Sequence, residues 1–191
     1  MDIILASTSP RRKELLGQIG LKDYRILSPD VEEVLDEMLP PAQLVEGLSR
    51  QKALAVRGRV DEDDVIIAAD TVVSLEGEVL GKPADEMDAF KMLSALSGNR
   101  HQVYTGLTVI RGEQVVTEHE MTTVTFRDLD PEEIEHYIAT GEPMDKAGAY
   151  GVQGLGALLV ERLDGDFFNV MGLPVLRLSR MLERFGVHFF C

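Results

Sequence analysis

The chain has 191 residues, 45% of them hydrophobic and 27% charged, an ordinary globular composition that excludes the disordered class. With 33 acidic residues against 19 lysines and arginines, its formal net charge is −14, which argues against a nucleic-acid polymer or an anionic membrane as partner. No apolar run nears the roughly 20 residues of a membrane-spanning helix.

The N-terminal MDIILAS has neither a basic leader nor a long apolar core, so it does not read as a signal peptide. Residues 2–6 form a short buried strand that runs into Ser7-Thr8-Ser9-Pro10, a capping group with proline at the first helical position, and then the helix RRKELLGQIG. A second strand is expected at 24–27, followed by an acidic loop and a helix over Pro41–Arg57. Val65–Leu75 is a dense β-branched run, and Gly77 turns it towards Val79 and Leu80. Residues 85–96 make an amphipathic helix closed by Gly98. Residues 103–110 and 115–126 pair as strands about the turn Arg111-Gly112-Glu113. Asp130-Pro131-Glu132-Glu133 opens a helix that Gly141 and Pro143 end. A glycine-rich stretch (Gly148, Gly151, Gly154, Gly156) leads into a strand at 157–163, and a last helix covers 174–185. Strands and helices alternate around a central hairpin, which predicts an α/β fold with a mixed sheet. The one cysteine, Cys191, excludes an intramolecular disulfide and a cysteine metal site, in keeping with a reducing cytoplasm.

Three placements break the binary pattern. Lys52 shares a helical stripe with Leu44, Val45, Leu48, Ala55 and Val56. A lysine stem skirting the stripe and a lysine aimed at an anion fit this equally well. Asp70 interrupts VIIAADTVV, a run apolar on both faces, where a carboxylate loses hydration and must be paired, metal-bound or protonated. A turn-capping role is weakened because Thr71-Val72-Val73 continue the strand. Arg11 and Arg12 stand in the first turn of a helix, against its dipole. A phosphate at that N-terminus, held by free N–H groups, Ser7 and a guanidinium, would explain them; two surface arginines would also do. Lys82, after the turn, could fold back beside Asp70. A few cations gathered in one cleft can bind a small anion while the outer surface stays acidic. The four histidines show no ligand spacing, the acidic run at 61–64 reads as a solvated turn, and no Gly-Lys-Ser/Thr follows the glycines, so they are no P-loop.

The blocks LASTSPRRKELL, AADTVV, GEVLGKP, SGNRHQVYTG, TGEPMDKAGAYGVQGLGALLV and GDFFNVMGLP together resemble the Maf family of nucleotide pyrophosphatases. They stand in family order from residue 3 to about residue 176. The resemblance implies a single domain over 1–191, similar to the inosine triphosphate pyrophosphatase architecture: an elongated mixed sheet with flanking helices and two lobes around a central cleft. It implies a nucleoside triphosphate pyrophosphatase acting on dTTP and UTP, with CTP and modified pyrimidine nucleotides as further candidate substrates, and a cytoplasmic homodimer using Mg²⁺ or Mn²⁺. Ser7, Arg12, Lys52 and Lys82 match its phosphate-contacting positions, Asp70 its proton acceptor, and Glu33 an acidic metal-site residue that Asp70 would join. Arg11, Thr71 and Gln153 match the subgroup acting on dTTP and UTP rather than its 7-methyl-GTP sister. Family members are also associated with blocking septum formation, so a nucleotide-binding regulator of cell division with little turnover is the alternative.

Overall fold

The computed structural model describes residues 1–31 and 38–190. Its elements in chain order are β1 (Ile3–Leu5), α1 (Pro10–Gln18), β2 (Arg25–Ile26), α2 (Pro41–Arg57), β3 (Val65–Leu75), β4 (Glu78–Leu80) and α3 (Glu86–Leu96). Then come β5 (Arg100–Arg111), β6 (Gln114–Phe126), α4 (Pro131–Ala139), β7 (Val160–Asp164), α5 (Phe167–Met171) and α6 (Val175–Glu183). The strands form one mixed seven-stranded sheet, ordered β2-β1-β3-β5-β6-β7, with β4 attached to β3.

The β-branched run at 65–75 becomes the central strand because it is apolar on both faces and both faces are covered. Ile66 and Ala68 pack against Ala53 and Val56 of α2, and Val72 against Leu44, Val45 and Leu48 of the same helix. On the opposite face Val65, Ile67 and Ala69 meet Leu15 and Leu16 of α1 and Leu178, Met181 and Leu182 of α6. Val73 belongs to a further cluster with Leu93 of α3, Phe126 of β6 and Ile138 of α4.

One edge of β3 is paired with β5 without a break, from Ile66 opposite Ile110 to Ser74 opposite Gln102. The other edge is shared. Parallel β1 covers it only as far as Leu5 opposite Ile67, and antiparallel β4 only from Val73 opposite Leu80. Residues 68–72 therefore have no strand partner on that side among the described residues. The carbonyl of Ile67 points that way, accepting from Ala6 N at 2.8 Å. Strand alternation aims the main-chain groups of Ala69 and Thr71 into the same gap.

Two sequence expectations need correction. The strand expected at 157–163 begins only at Val160, because Gly154–Leu159 winds into a 3₁₀ segment. The short helix α5, capped by the Asp166 carboxylate accepting from Phe168 N and Asn169 N, was not foreseen. The acidic run at 61–64 does form a turn, but Asp64 is buried in it and staples the N-terminal strand by accepting from Asp2 N at 2.7 Å. No helix among the described residues is long and apolar enough to cross a membrane. Cys191 lies outside the described residues.

His101 is fully buried beside Phe126, its Nε2 2.7 Å from the Tyr150 hydroxyl and its Nδ1 without a hydrogen-bond partner among the described residues. Burial pushes its pKa from 6.5 down to about 4. Between those values the unfolded chain binds a proton that the folded chain refuses. Stability is thus full above pH 6.5 and falls as pH drops towards 4. Exchange for glutamine, which also reaches Tyr150, is expected to remove about 2–3 kcal/mol of the loss between pH 7 and 4.5. Urea unfolding at the two pH values reads this directly, and equal losses in both proteins would show that His101 charges freely.

Candidate active site

The gap beside β3 opens into a cleft of about 1390 Å³. Eight of the nine sequence-predicted site residues line it: Ser7, Arg11 and Arg12 from the β1–α1 junction, Lys52 from α2, Asp70 and Thr71 from β3, Lys82 after β4, and Gln153 from the glycine-rich loop. The ninth, Glu33, lies outside the described residues.

Asp70 takes the α2-facing row between Ala68 and Val72, at the middle of the unpaired edge, and is only 7% exposed. Its Oδ1 pairs with Lys52 Nζ. That lysine lies between the buried Leu48 and Val56 on one face of α2, its side chain 14% exposed. Of the two readings the pattern allowed, the structure takes the inward-facing one. The buried face of α2 differs from the expected stripe in detail, since Ser49 and Ala53 are buried and Ala55 is not. A carboxylate and an ammonium withdrawn together from water need each other, because burying either alone costs several kcal/mol.

Thr71 points to the other face, where its hydroxyl accepts from Arg12 Nη2 at 3.1 Å and lies 2.9 Å from the Thr105 hydroxyl. Arg12 Nε also donates to the Gly172 carbonyl at 2.8 Å, so this side chain ties α1 to β3 and to the end of α5. Ser7, 5% exposed, accepts from Ser9 N at 3.2 Å. It therefore serves the start of α1 where Ser9 makes no side-chain cap. Lys82 makes no hydrogen bond or ion pair with any other described residue, and its cation remains available. Arg11 lies 3.9 Å from Asp145.

Sequence reasoning missed the acids and the lysine that hold the glycine-rich wall. Glu142 accepts from the Tyr137 hydroxyl at 2.9 Å, from Gly156 N at 2.8 Å and from Leu155 N at 3.0 Å. Those backbone bonds keep its pKa below the usual carboxylate value despite the opposing effect of burial. Lys146 Nζ donates to the Glu142 carbonyl and to Asp145, each at 2.7 Å. Gln153 Nε2 donates to Glu14 on α1 at 3.1 Å. The adjacent Asp145-Lys146 in a glycine-rich segment was the available signal.

Five of the 19 lysines and arginines line this cleft against four acidic residues, counting described residues, while the chain as a whole carries −14. Positive charge has been concentrated where the fold leaves a strand edge unpaired, which suits an oligoanion. No cluster of three or more histidine, cysteine or acidic groups able to hold a metal occurs among the described residues. Asp70, at the unpaired strand edge, offers a hard oxygen donor, which fits a Mg²⁺-like ion held through one or two carboxylates and completed by ligand phosphates.

A model of the Maf-like protein family matches residues 2–185. The dTTP/UTP pyrophosphatase of Symbiobacterium thermophilum is 48% identical over 189 residues, covering 99% of this chain and 96% of the relative. That of Dictyoglomus turgidum is 50% identical over 188 residues, covering 97% and 96%. Among solved structures, a HAM1 protein from Coxiella burnetii superposes with a TM-score of 0.51 at 13% identity, over 96% of this chain and 99% of that one. This last similarity concerns the fold and bears out the α/β mixed-sheet expectation.

Proposed function

The chain belongs to the Maf-like protein family, and from that premise we propose that it is a nucleoside triphosphate pyrophosphatase that hydrolyses dTTP and UTP to the monophosphate and pyrophosphate. One observation carries the reading: a buried carboxylate, Asp70, sits at the centre of an unpaired strand edge, in a cleft that cations from four separate chain segments also line.

In this reading the triphosphate lies along the cleft. Lys52, Lys82 and Arg12 hold its phosphates, with Ser7 and the N-terminal N–H groups of α1. Asp70 accepts a proton from a water molecule whose oxygen bonds to the α-phosphorus. The bond from that phosphorus to the α–β bridging oxygen breaks, and pyrophosphate leaves with the electron pair. Lys52, already against Asp70, orients the carboxylate and offsets charge on the oxygens around phosphorus. Asp70 and Glu33 would hold a divalent Mg²⁺ or Mn²⁺, which when bound neutralises phosphate charge. Arg11, Thr71 and Gln153 would face the base end. A cytoplasmic location and a homodimer complete the reading; both rest on family resemblance.

The test is a pyrophosphate-release assay with Mg²⁺ across dTTP, UTP, CTP, GTP and 7-methyl-GTP. Pyrophosphate and monophosphate are expected in equal amounts, with kcat/KM for dTTP and UTP at least about tenfold above the purine nucleotides. Release of orthophosphate would refute the reaction assigned. Tight binding without turnover would favour the regulator of cell division instead.

A further inference from the structure

The hydrogen bond between Gln153 and Glu14 fixes more than a side-chain position. A primary amide has two chemically opposite ends, one donating and one accepting. A carboxylate can only accept. Whichever way the Gln153 amide is turned, its bond to Glu14 must therefore use the nitrogen, and Nε2 stands 3.1 Å from Glu14 Oε1. With the nitrogen end turned to Glu14, the carbonyl oxygen is the acceptor left for a ligand in the cleft, beside the second N–H of Nε2.

The backbone under this amide is held unusually firmly. Glu142 takes the N–H groups of Leu155 and Gly156, and Tyr137, bonded to Glu142, takes that of Gly151 at 3.2 Å. Gly154 has φ +84, and a Cβ there would lie 2.8 Å from Glu142 Oε2. A Cβ on Gly156 would lie 2.1 Å from the Gly151 carbonyl. The loop closes on itself around one carboxylate, so Gln153 starts from a defined place on the cleft wall.

Building on the pyrimidine nucleotide reading above, we infer that Glu14 is a positioning residue for base selection: by engaging the amide nitrogen of Gln153 it presents the amide oxygen to the imide N3–H of uracil or thymine, and so discriminates against cytosine. Cytosine offers a lone pair at N3 where uracil offers a proton. An acceptor held against it meets a second acceptor, and that mismatch is the source of selectivity. Were the amide free to rotate, it would serve either base. The same logic gives Glu142 an indirect part, since a looser loop lets the amide move away from the base.

The experiment compares kcat and KM for UTP and CTP in the unsubstituted enzyme, in Glu14→Gln and in Gln153→Ala. The unsubstituted enzyme is expected to prefer UTP at least about tenfold. Glutamine at position 14 both donates and accepts, so it releases the amide to turn. The UTP/CTP ratio of kcat/KM should then fall by about fivefold or more, carried by KM rather than kcat. In the Gln153→Ala background the same exchange at position 14 should leave the ratio where Gln153→Ala put it, as expected of two residues acting through one another. Hydrogen exchange at the Leu155 and Gly156 amides should stay slow in Glu14→Gln, separating amide orientation from loop collapse. UTP turnover with a ratio that Glu14→Gln does not move, or an unsubstituted enzyme that favours CTP, overturns this inference alone. No hydrolysis of either nucleotide overturns the pyrophosphatase reading, and this inference with it.

Discussion

Exchange of Asp70 for asparagine is expected to lower kcat for dTTP and UTP by about 10³-fold while nucleotide affinity stays within about threefold of the original or tightens. Asparagine has the shape of aspartate, and its amide oxygen can still accept from Lys52 Nζ, so the pair seen at the gap in β3 keeps its geometry. What disappears is a group able to take a proton from the attacking water. Removing the negative charge also takes one carboxylate away from the Lys52 ammonium, whose side chain is 14% exposed, and this favours a bound polyphosphate beside it. That is why affinity should not fall. Isothermal titration with a non-hydrolysable dTTP analogue, beside the pyrophosphate-release rate, separates the two quantities. Thermal unfolding of the variant checks that the buried site has not collapsed. A variant that retains more than a tenth of the original kcat would move the proton-acceptor role to another residue of the cleft.

The architecture was legible wherever periodicity and punctuation agreed. The run at 65–75, the hairpin about Arg111-Gly112-Glu113 and the Asp130-Pro131 helix start all stand as read. So did the residues that violate the pattern: Asp70 and Lys52 were marked because a charge on an apolar row needs a reason, and they face each other in one cleft. Three kinds of information were out of reach. Gly154–Leu159 spells an apolar run, and only the grip of Glu142 on Leu155 N and Gly156 N explains why it coils before the strand begins. The pair Asp145-Lys146 marks a polar point in a glycine-rich segment, but what it holds lies in partners brought near by the loop. The open edge of β3 cannot be read along the chain at all. It exists because β1 stops at Leu5 and β4 starts pairing at Val73, a property of register rather than of local composition.

Register also explains the second large effect, at a glycine far from any turn. Gly106 of β5 pairs directly with Asp70, and on it rests the main chain of α2. A Cβ at residue 106 would lie 2.1 Å from the Val45 carbonyl oxygen and 2.7 Å from Glu46 N. Both are helix backbone atoms with no rotamer to retreat into. The absent side chain is what lets α2 settle on the sheet at the level of Asp70, and Lys52, seven residues on from Val45, projects from the same face about two turns later. Gly106→Ala is therefore expected to cost about 3 kcal/mol or more, since α2 must lift as a body and open contacts along its apolar stripe. It should also lower kcat/KM about a hundredfold in whatever fraction stays folded, because a displacement near 1 Å suffices to spoil a catalytic pair. Gly47 is the internal control. It lies in α2 beside the same contact, yet a Cβ there meets nothing within 4 Å. Gly47→Ala should stabilise the protein by about 0.5–1 kcal/mol through helix propensity alone, with activity intact. Urea unfolding and dTTP turnover of the two variants thus move in opposite directions if the seat of α2 positions Lys52. A Gly106→Ala protein as stable and as active as the original would show that the helix has room to spare and that the Lys52–Asp70 pair is set by something else.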